Sequence, residues 1–160
     1  MQSPSSVQFA QKAAIVQGSR ILMVRKSSDD PHNPDLWELP GGRMNFGEDI
    51  EQHLSREVKE EVGLVVQPGR PLHIWSWVMQ REGEAPVQVV AVVRMCTVTS
   101  GEVSCKNQDS SDYISSIQWH DFETLDRLQV IASQRDAINL AIKETMVPQL
   151  ASDLSCPVPS

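Results

Sequence analysis

The sequence predicts an α/β fold in which a mixed β-sheet lies between helices. Three observations point to it. Apolar runs of strand character stand at "VQFAQKAAIVQ", "ILMVR", "LHIWSWVMQ" and "VQVVAVVRMCTVT". Two further segments repeat apolar residues at helical spacing, from Ile50 to Val62 and in "VIASQRDAINLAIKETM". The 160 residues, 40% of them hydrophobic, suffice for one compact core.

Taken in order, "VQFAQKAAIVQ", the turn "GSR" and "ILMVR" read as a hairpin. The stretch "KSSDDPHNPDLWELPGGRMNFGED" is rich in Pro, Gly, Asn and Asp and reads as loop, with a short strand at Leu36 to Leu39. Asp49 has the chemistry of a helix N-cap, and Gln52 three residues later suits a capping box. The helix should run from Ile50 to Val62 and stop at Gly63, which accommodates a left-handed C-terminal residue. Ile50, Leu54, Val58 and Val62 form an i, i+4 ridge to seat it on the sheet.

Strands are expected at "LHIWSWVMQ" and "VQVVAVVRMCTVT", joined by "REGEAP", followed by a short strand "SSIQWHD". "DFETLDRL" suits a short helix and "VIASQRDAINLAIKETM" a closing one. Residues 1–146 thus read as a single domain and residues 147–160, with three prolines and no periodicity, as a loose tail.

The formal charge of -7 and the lack of a basic run argue against a nucleic-acid polymer or an anionic membrane as partner. No stretch reaches membrane-spanning length and the N-terminus has no secretory pattern, so a cytoplasmic protein is expected. Cys96, Cys105 and Cys156 are odd in number and show no CxxC spacing, which predicts free thiols, with Cys96 in a buried strand.

The chemistry concentrates in "REVKEEVGL". At about 100° per residue, Glu57, Glu60 and Glu61 share one narrow arc of the helix. Two carboxylates about 5 Å apart repel by about 3 kcal/mol at an effective dielectric near 20, a cost that a divalent cation reverses. Hard cations such as Mg²⁺ favour an oxygen shell of this kind. A charged arc of this composition is also what a solvated helix face looks like.

The upstream spacing separates the two readings. Gly42, five residues, Glu48, seven residues, Arg56, Glu57, an aliphatic, one residue, Glu60, Glu61, one residue, Gly63 and an aliphatic resemble the complete Nudix box of the Nudix hydrolases. A chance match at one start point is of order 10⁻⁹. The resemblance implies a Nudix-type α/β/α sandwich over about residues 7–146 and hydrolysis of a nucleoside diphosphate linked to another group, X, with Mg²⁺ or Mn²⁺ as cofactor. It implies that Glu57, Glu60, Glu61 and the carbonyl of Gly41 hold metal, that Glu48 is an accessory acid, and that Arg56 orients Glu57.

Outside the box the expectations are these. His53 stands where relatives carry small residues and is expected at the surface or behind the ligands. The general base is Glu57 or a loop acid, Asp112 or Asp109, because Gln118 occupies the position just before Trp119. Arg25 and Lys26, at a strand end, are candidates for phosphate contacts, and Trp75, with Trp77 on the same strand face, for stacking on a base. The downstream signatures of the ADP-ribose, coenzyme A, NADH and diadenosine-polyphosphate branches do not appear after the box. Short length and a single domain favour a nucleoside triphosphate, normal or damaged, as the small-molecule partner. A nucleotide sugar or other NDP-X compound is the alternative, a non-catalytic nucleotide sensor the rival, and a homodimer an admissible assembly.

Overall fold

The computed structural model describes residues 5–147. Its centre is β1 (Ser6–Gln17), which turns through Gly18, at φ 61, into β2 (Arg20–Lys26), with Val16 opposite Ile21. Two short strands follow, β3 (Trp37–Glu38) on β2 and β4 (Gly41–Arg43) on β1. Helix α1 spans Ile50–Val62. The long antiparallel pair β5 (Leu64–Met79) and β6 (Val87–Gly101) returns so that β6 runs parallel to β1. Strand β7 (Ile114–Asp121) covers the other side of β2, and α2 (Arg135–Met146) closes the fold. One parallel pairing among antiparallel ones makes the sheet mixed.

Each helix buries its apolar stripe on its own face of the sheet. Leu54, Val58 and Val62 of α1 pack on Ala13, Ile15, Leu22, Val24 and Cys96. Ala137, Ile138 and Ala141 of α2 pack on Ala14, Ile21, Met23, Trp37 and Val93 on the opposite face. Alternate residues of β1 and β2 thus serve opposite cores, as a two-residue period requires. Ile50, the expected first member of the α1 ridge, remains 48% exposed. Beneath that end of the helix the sheet presents the polar Gln11, whose amide bonds the Ile50 carbonyl.

Several elements differ from the reading of the sequence. Asp49 caps α1 by accepting from the Glu51 and Gln52 amides, while the reciprocal Gln52 contact of a capping box is not made. Gly63 closes the helix at φ 78, as its residue type suits. β5 begins at Leu64 rather than Leu72, because Pro68 and Pro71 sit at register shifts on an edge strand, where proline is tolerated. Gly41–Arg43 is a strand rather than loop. α2 starts at Arg135 rather than Val130: the Trp37 amide donates to the Gln129 carbonyl and the Ile131 amide to the Trp37 carbonyl, so this stretch extends the edge at β3. "FETLDR" forms 3-10 turns. The expected tail, apart from Val147, lies outside the described residues.

Candidate active site

The site forms where β4 passes between β1 and α1. Lys12 of β1 stands opposite Gly41, and Gln11 opposite Gly42. Gly41 has φ 127, and a Cβ there would lie 2.2 Å from the Gln11 carbonyl oxygen, so this position admits only glycine. A Cβ on Gly42 would lie 2.9 Å from Glu57 Oε2. The two glycines therefore let the backbone of β4 lie directly against the carboxylates of α1.

Glu57 and Glu61, one helical turn apart, both reach this backbone. The Gly41 amide donates to Glu61 Oε2 at 2.8 Å, and Glu61 is 5% exposed. Burial pushes the Glu61 carboxyl up to about 8, against the pull of Lys12. Glu57 is also raised, chiefly by burial and then by Glu60, with Arg56 opposing. Arg56 lies among three acids: it pairs bidentately with Glu48, and donates to Glu60 at 2.9 Å and to Glu57 at 3.2 Å. The Arg56 hydrogen bonds hold the Glu48 carboxyl down at about 2 and raise the Arg56 guanidinium.

A second charged group sits beneath the glycines. Lys12 Nζ donates to the Gly41 carbonyl at 2.7 Å and to Glu38 Oε2 at 2.8 Å, and all three residues are buried. Gln134 donates to the same Glu38 oxygen at 2.9 Å, and Lys26 stands 3.4 Å from Glu38 Oε1. Two ammonium groups outweigh desolvation and hold the Glu38 carboxyl low. Sequence reasoning missed Lys12, Glu38 and Gln134. The available signal was a lysine inside the apolar run "FAQKAAIV" of a strand too central to leave it solvated.

The other candidates fall in different settings. Lys26 is not the open strand-end lysine expected for a phosphate: it pairs with Asp30 and Glu38 and donates to the Asp112 carbonyl at 2.6 Å. The cause is the buried acid Glu38, which draws the ammonium inward. Arg25 is exposed at its head and pairs with Asp35. Asp112 and Asp109 form a reciprocal cap over residues 110–112, with Asp112 Oδ2 accepting from the Asp109 amide. Gln108 of the same loop donates to the Glu61 carbonyl at 2.7 Å, tying the loop to α1. Gln118 is exposed on β7 opposite Met23. Trp75 stacks with Trp77 and His73 along β5 and packs on the apolar clusters of the α2 face, its indole N–H buried without a partner. His53, expected at the surface or behind the ligands, is fully buried behind Glu57, and burial lowers its pKa.

Among the described residues no three His, Cys, Asp or Glu side chains converge tightly enough to hold a metal as they stand. The donor chemistry nevertheless fits a hard cation. Glu57 and Glu61 converge on one backbone segment with carboxyls raised by burial, and the Gly41 carbonyl, another expected oxygen ligand, accepts from the Lys12 ammonium. Glu60 stands at the rim, paired to Arg56 and 45% exposed at its side chain.

Comparisons with known proteins identify the family. The NUDIX domain model matches residues 10–140, which span both β4 and the whole of α1. The chain belongs to the Nudix hydrolase family. A curated Nudix relative, the 8-oxo-dGTP diphosphatase of Escherichia coli (strain K12), is 33% identical over 42% of this chain and 62% of its own length. The ADP-ribose pyrophosphatase of Methanocaldococcus jannaschii is 26% identical over 71% of this chain and 62% of its own length. The chain thus spans about three fifths of each of these two curated relatives. The crystal structure of the MutT protein from Methanosarcina mazei Go1 superposes with a TM-score of 0.66 at 22% identity, covering 92% of this chain and 99% of that one, and so shares the Nudix fold. Among the described residues no helix is long and apolar enough to cross a membrane.

Proposed function

We propose that this Nudix chain is a Mg²⁺-dependent pyrophosphohydrolase, with Mn²⁺ as an alternative ion, that cleaves a nucleoside diphosphate linked to X. The favoured substrate is a nucleoside triphosphate, normal or damaged, and the products are the monophosphate and pyrophosphate. The observation that carries this reading is the convergence of Glu57 and Glu61 on the Gly41–Gly42 backbone. A module that only binds nucleotide has no need of a buried and a half-buried carboxylate, both of elevated pKa, set by one helix against the same strand.

Glu57, Glu60, Glu61 and the Gly41 carbonyl would hold the cation. When bound, it supplies positive charge to the oxygens of the pyrophosphate. Arg56 orients Glu57 and Glu60, with Glu48 holding the guanidinium in place. Water attacks phosphorus and the phosphoanhydride P–O bond breaks, while Glu57 is the favoured acceptor of the water's proton. The Asp112 carboxylate, the other candidate, is committed to its own turn. Arg25 and Trp75 are the residues proposed for phosphate and base. The relative named 8-oxo-dGTP diphosphatase supports the triphosphate reading, and the one named ADP-ribose pyrophosphatase supports the alternative, a nucleotide sugar or other NDP-X.

The test is turnover of a nucleotide panel with Mg²⁺, products resolved by phosphorus NMR, for wild type, Glu60→Gln and Glu61→Gln. Loss of at least about 100-fold in Glu61→Gln is expected. Undiminished turnover in both folded variants sinks the metal-site assignment. Tight binding without turnover by the wild type indicates the sensor.

A further inference from the structure

Behind Glu57 runs a line of buried polar groups outside the Nudix box's own acid and arginine set. Arg94 of β6 pairs with Glu51 at 2.8 Å, donates from Nε to the Gly69 carbonyl at 2.7 Å, and offers Nη1 to Gln11 Oε1 at 3.4 Å. Gln11 Nε2 lies 2.8 Å from the Ile50 carbonyl and 2.9 Å from His53 Nδ1. His53 Nε2 is buried, lacks a hydrogen-bond partner, and points to Glu57 Oε1 at 3.8 Å.

The chemistry of the ends settles the orientation of the middle. A guanidinium can only donate, so the oxygen of the Gln11 amide faces Arg94. A carbonyl can only accept, so the nitrogen of that amide faces Ile50 and His53. His53 Nδ1 must then accept, and a neutral imidazole so fixed carries its proton on Nε2. That proton lies on the side of Glu57 and of the Gly42 and Arg43 backbone carbonyls. The 3.8 Å separation exceeds a hydrogen bond, so the contact requires the Glu57 carboxylate to move toward the ring.

We propose that His53 is a positioning residue for Glu57: Gln11 locks its ring as the Nε2–H tautomer, which donates to the Glu57 carboxylate and presents the other carboxylate oxygen to the cation. The inference rests on the proposed metal role of Glu57. Hydrogen bonds to metal-ligating groups commonly set metal affinity by about 10- to 100-fold. The fully buried His53, in place of a small residue, is otherwise hard to account for, because a buried Nε2–H without a partner is destabilising.

The experiment has two independent arms. Nitrogen-15 NMR of the metal-free protein, with the His53 signals assigned by loss in His53→Gln, should show the neutral Nε2–H tautomer in the wild type and a mixture in Gln11→Met. Mn²⁺ titration followed by electron paramagnetic resonance should show a Kd about tenfold weaker in His53→Leu, with most of the affinity restored in His53→Gln, whose amide can donate in the same direction. Should His53→Leu fail to fold, Gln11→Met keeps the imidazole and tests the same affinity. An Nδ1–H tautomer in the wild type, or unchanged Mn²⁺ affinity in a folded His53→Leu or Gln11→Met, overturns the proposal. A wild type that binds no Mn²⁺ overturns instead the metal reading on which the positioning role rests, while the tautomer arm still decides whether the polar line is built as described.

Discussion

Lys12 Nζ lies 2.7 Å from the carbonyl oxygen of Gly41, the backbone atom expected to face a metal. The ammonium also neutralises Glu38 and attracts both Glu57 and Glu61. It is an internal cation at the floor of the carboxylate site. Replacing it by an apolar residue leaves Glu38 in the core with one cationic partner, Lys26, instead of two. Lys12→Met should therefore destabilise the protein by about 3 kcal/mol, near the lower end for breaking a buried ion pair, and Lys12→Met/Glu38→Gln should recover much of that loss. Urea unfolding of the wild type, Lys12→Met, Glu38→Gln and the double variant measures these losses, and additive losses in the double variant would show that the pair is not coupled.

The two glycines of β4 should respond differently to a methyl group. In Gly42→Ala the new Cβ meets the far end of the Glu57 side chain, which can swing away, so the protein should fold. Turnover should fall about 100-fold, because a shift of about 1 Å at a reacting group has that effect. In Gly41→Ala the Cβ meets the fixed backbone of Gln11 and the residue must hold φ 127, so the fold itself should be lost. Circular dichroism beside turnover separates the two outcomes.

Stability of the metal-free protein should depend on pH through Glu61. Its folded pKa of about 8 lies above the ordinary value of 4.5, so the folded state binds the extra proton between these values. Stability should therefore fall as pH rises from about 4.5 to about 8, and that slope should vanish in Glu61→Gln. Glu48 acts with the opposite sign: its carboxyl is held at about 2, so its stabilisation is complete above the ordinary value and is lost as pH falls toward 2. Melting temperatures in EDTA across this range test both slopes.

The two described thiols should differ in reactivity. Cys96 is buried in β6 and its thiol is pushed up to about 12, whereas Cys105 is exposed. N-ethylmaleimide at neutral pH should modify Cys105 within minutes and Cys96 only after unfolding, as read by mass spectrometry of peptides. Rapid labelling of Cys96 in the native protein would show that the α1 face of the sheet opens locally.

Much of this architecture was legible in local sequence. Asp49 and Gly63 marked both ends of α1, and the glycine between two apolar runs marked the β1–β2 turn. The start of β5 was not legible, because Pro68 and Pro71 look like loop until the antiparallel partner β6 is there to hold them. The start of α2 was lost for a similar reason, since Val130 and Ile131 continue the helical period but are taken by the open edge of Trp37.

The sequence by itself determined the acidic arc of α1, its distance from the glycines and from Glu48, and the family those spacings belong to, because helix periodicity and short chain separations are local properties. Tertiary structure alone decided what the arc faces. Lys12 reaches Gly41 across 29 residues and Gln11 reaches His53 across 42, contacts that exist only once β1 has paired with β4 and received α1 on its face. Which buried charge finds which partner depends on that register, and a shift of one residue along β1 would exchange the faces on which Lys12 and Gln11 stand.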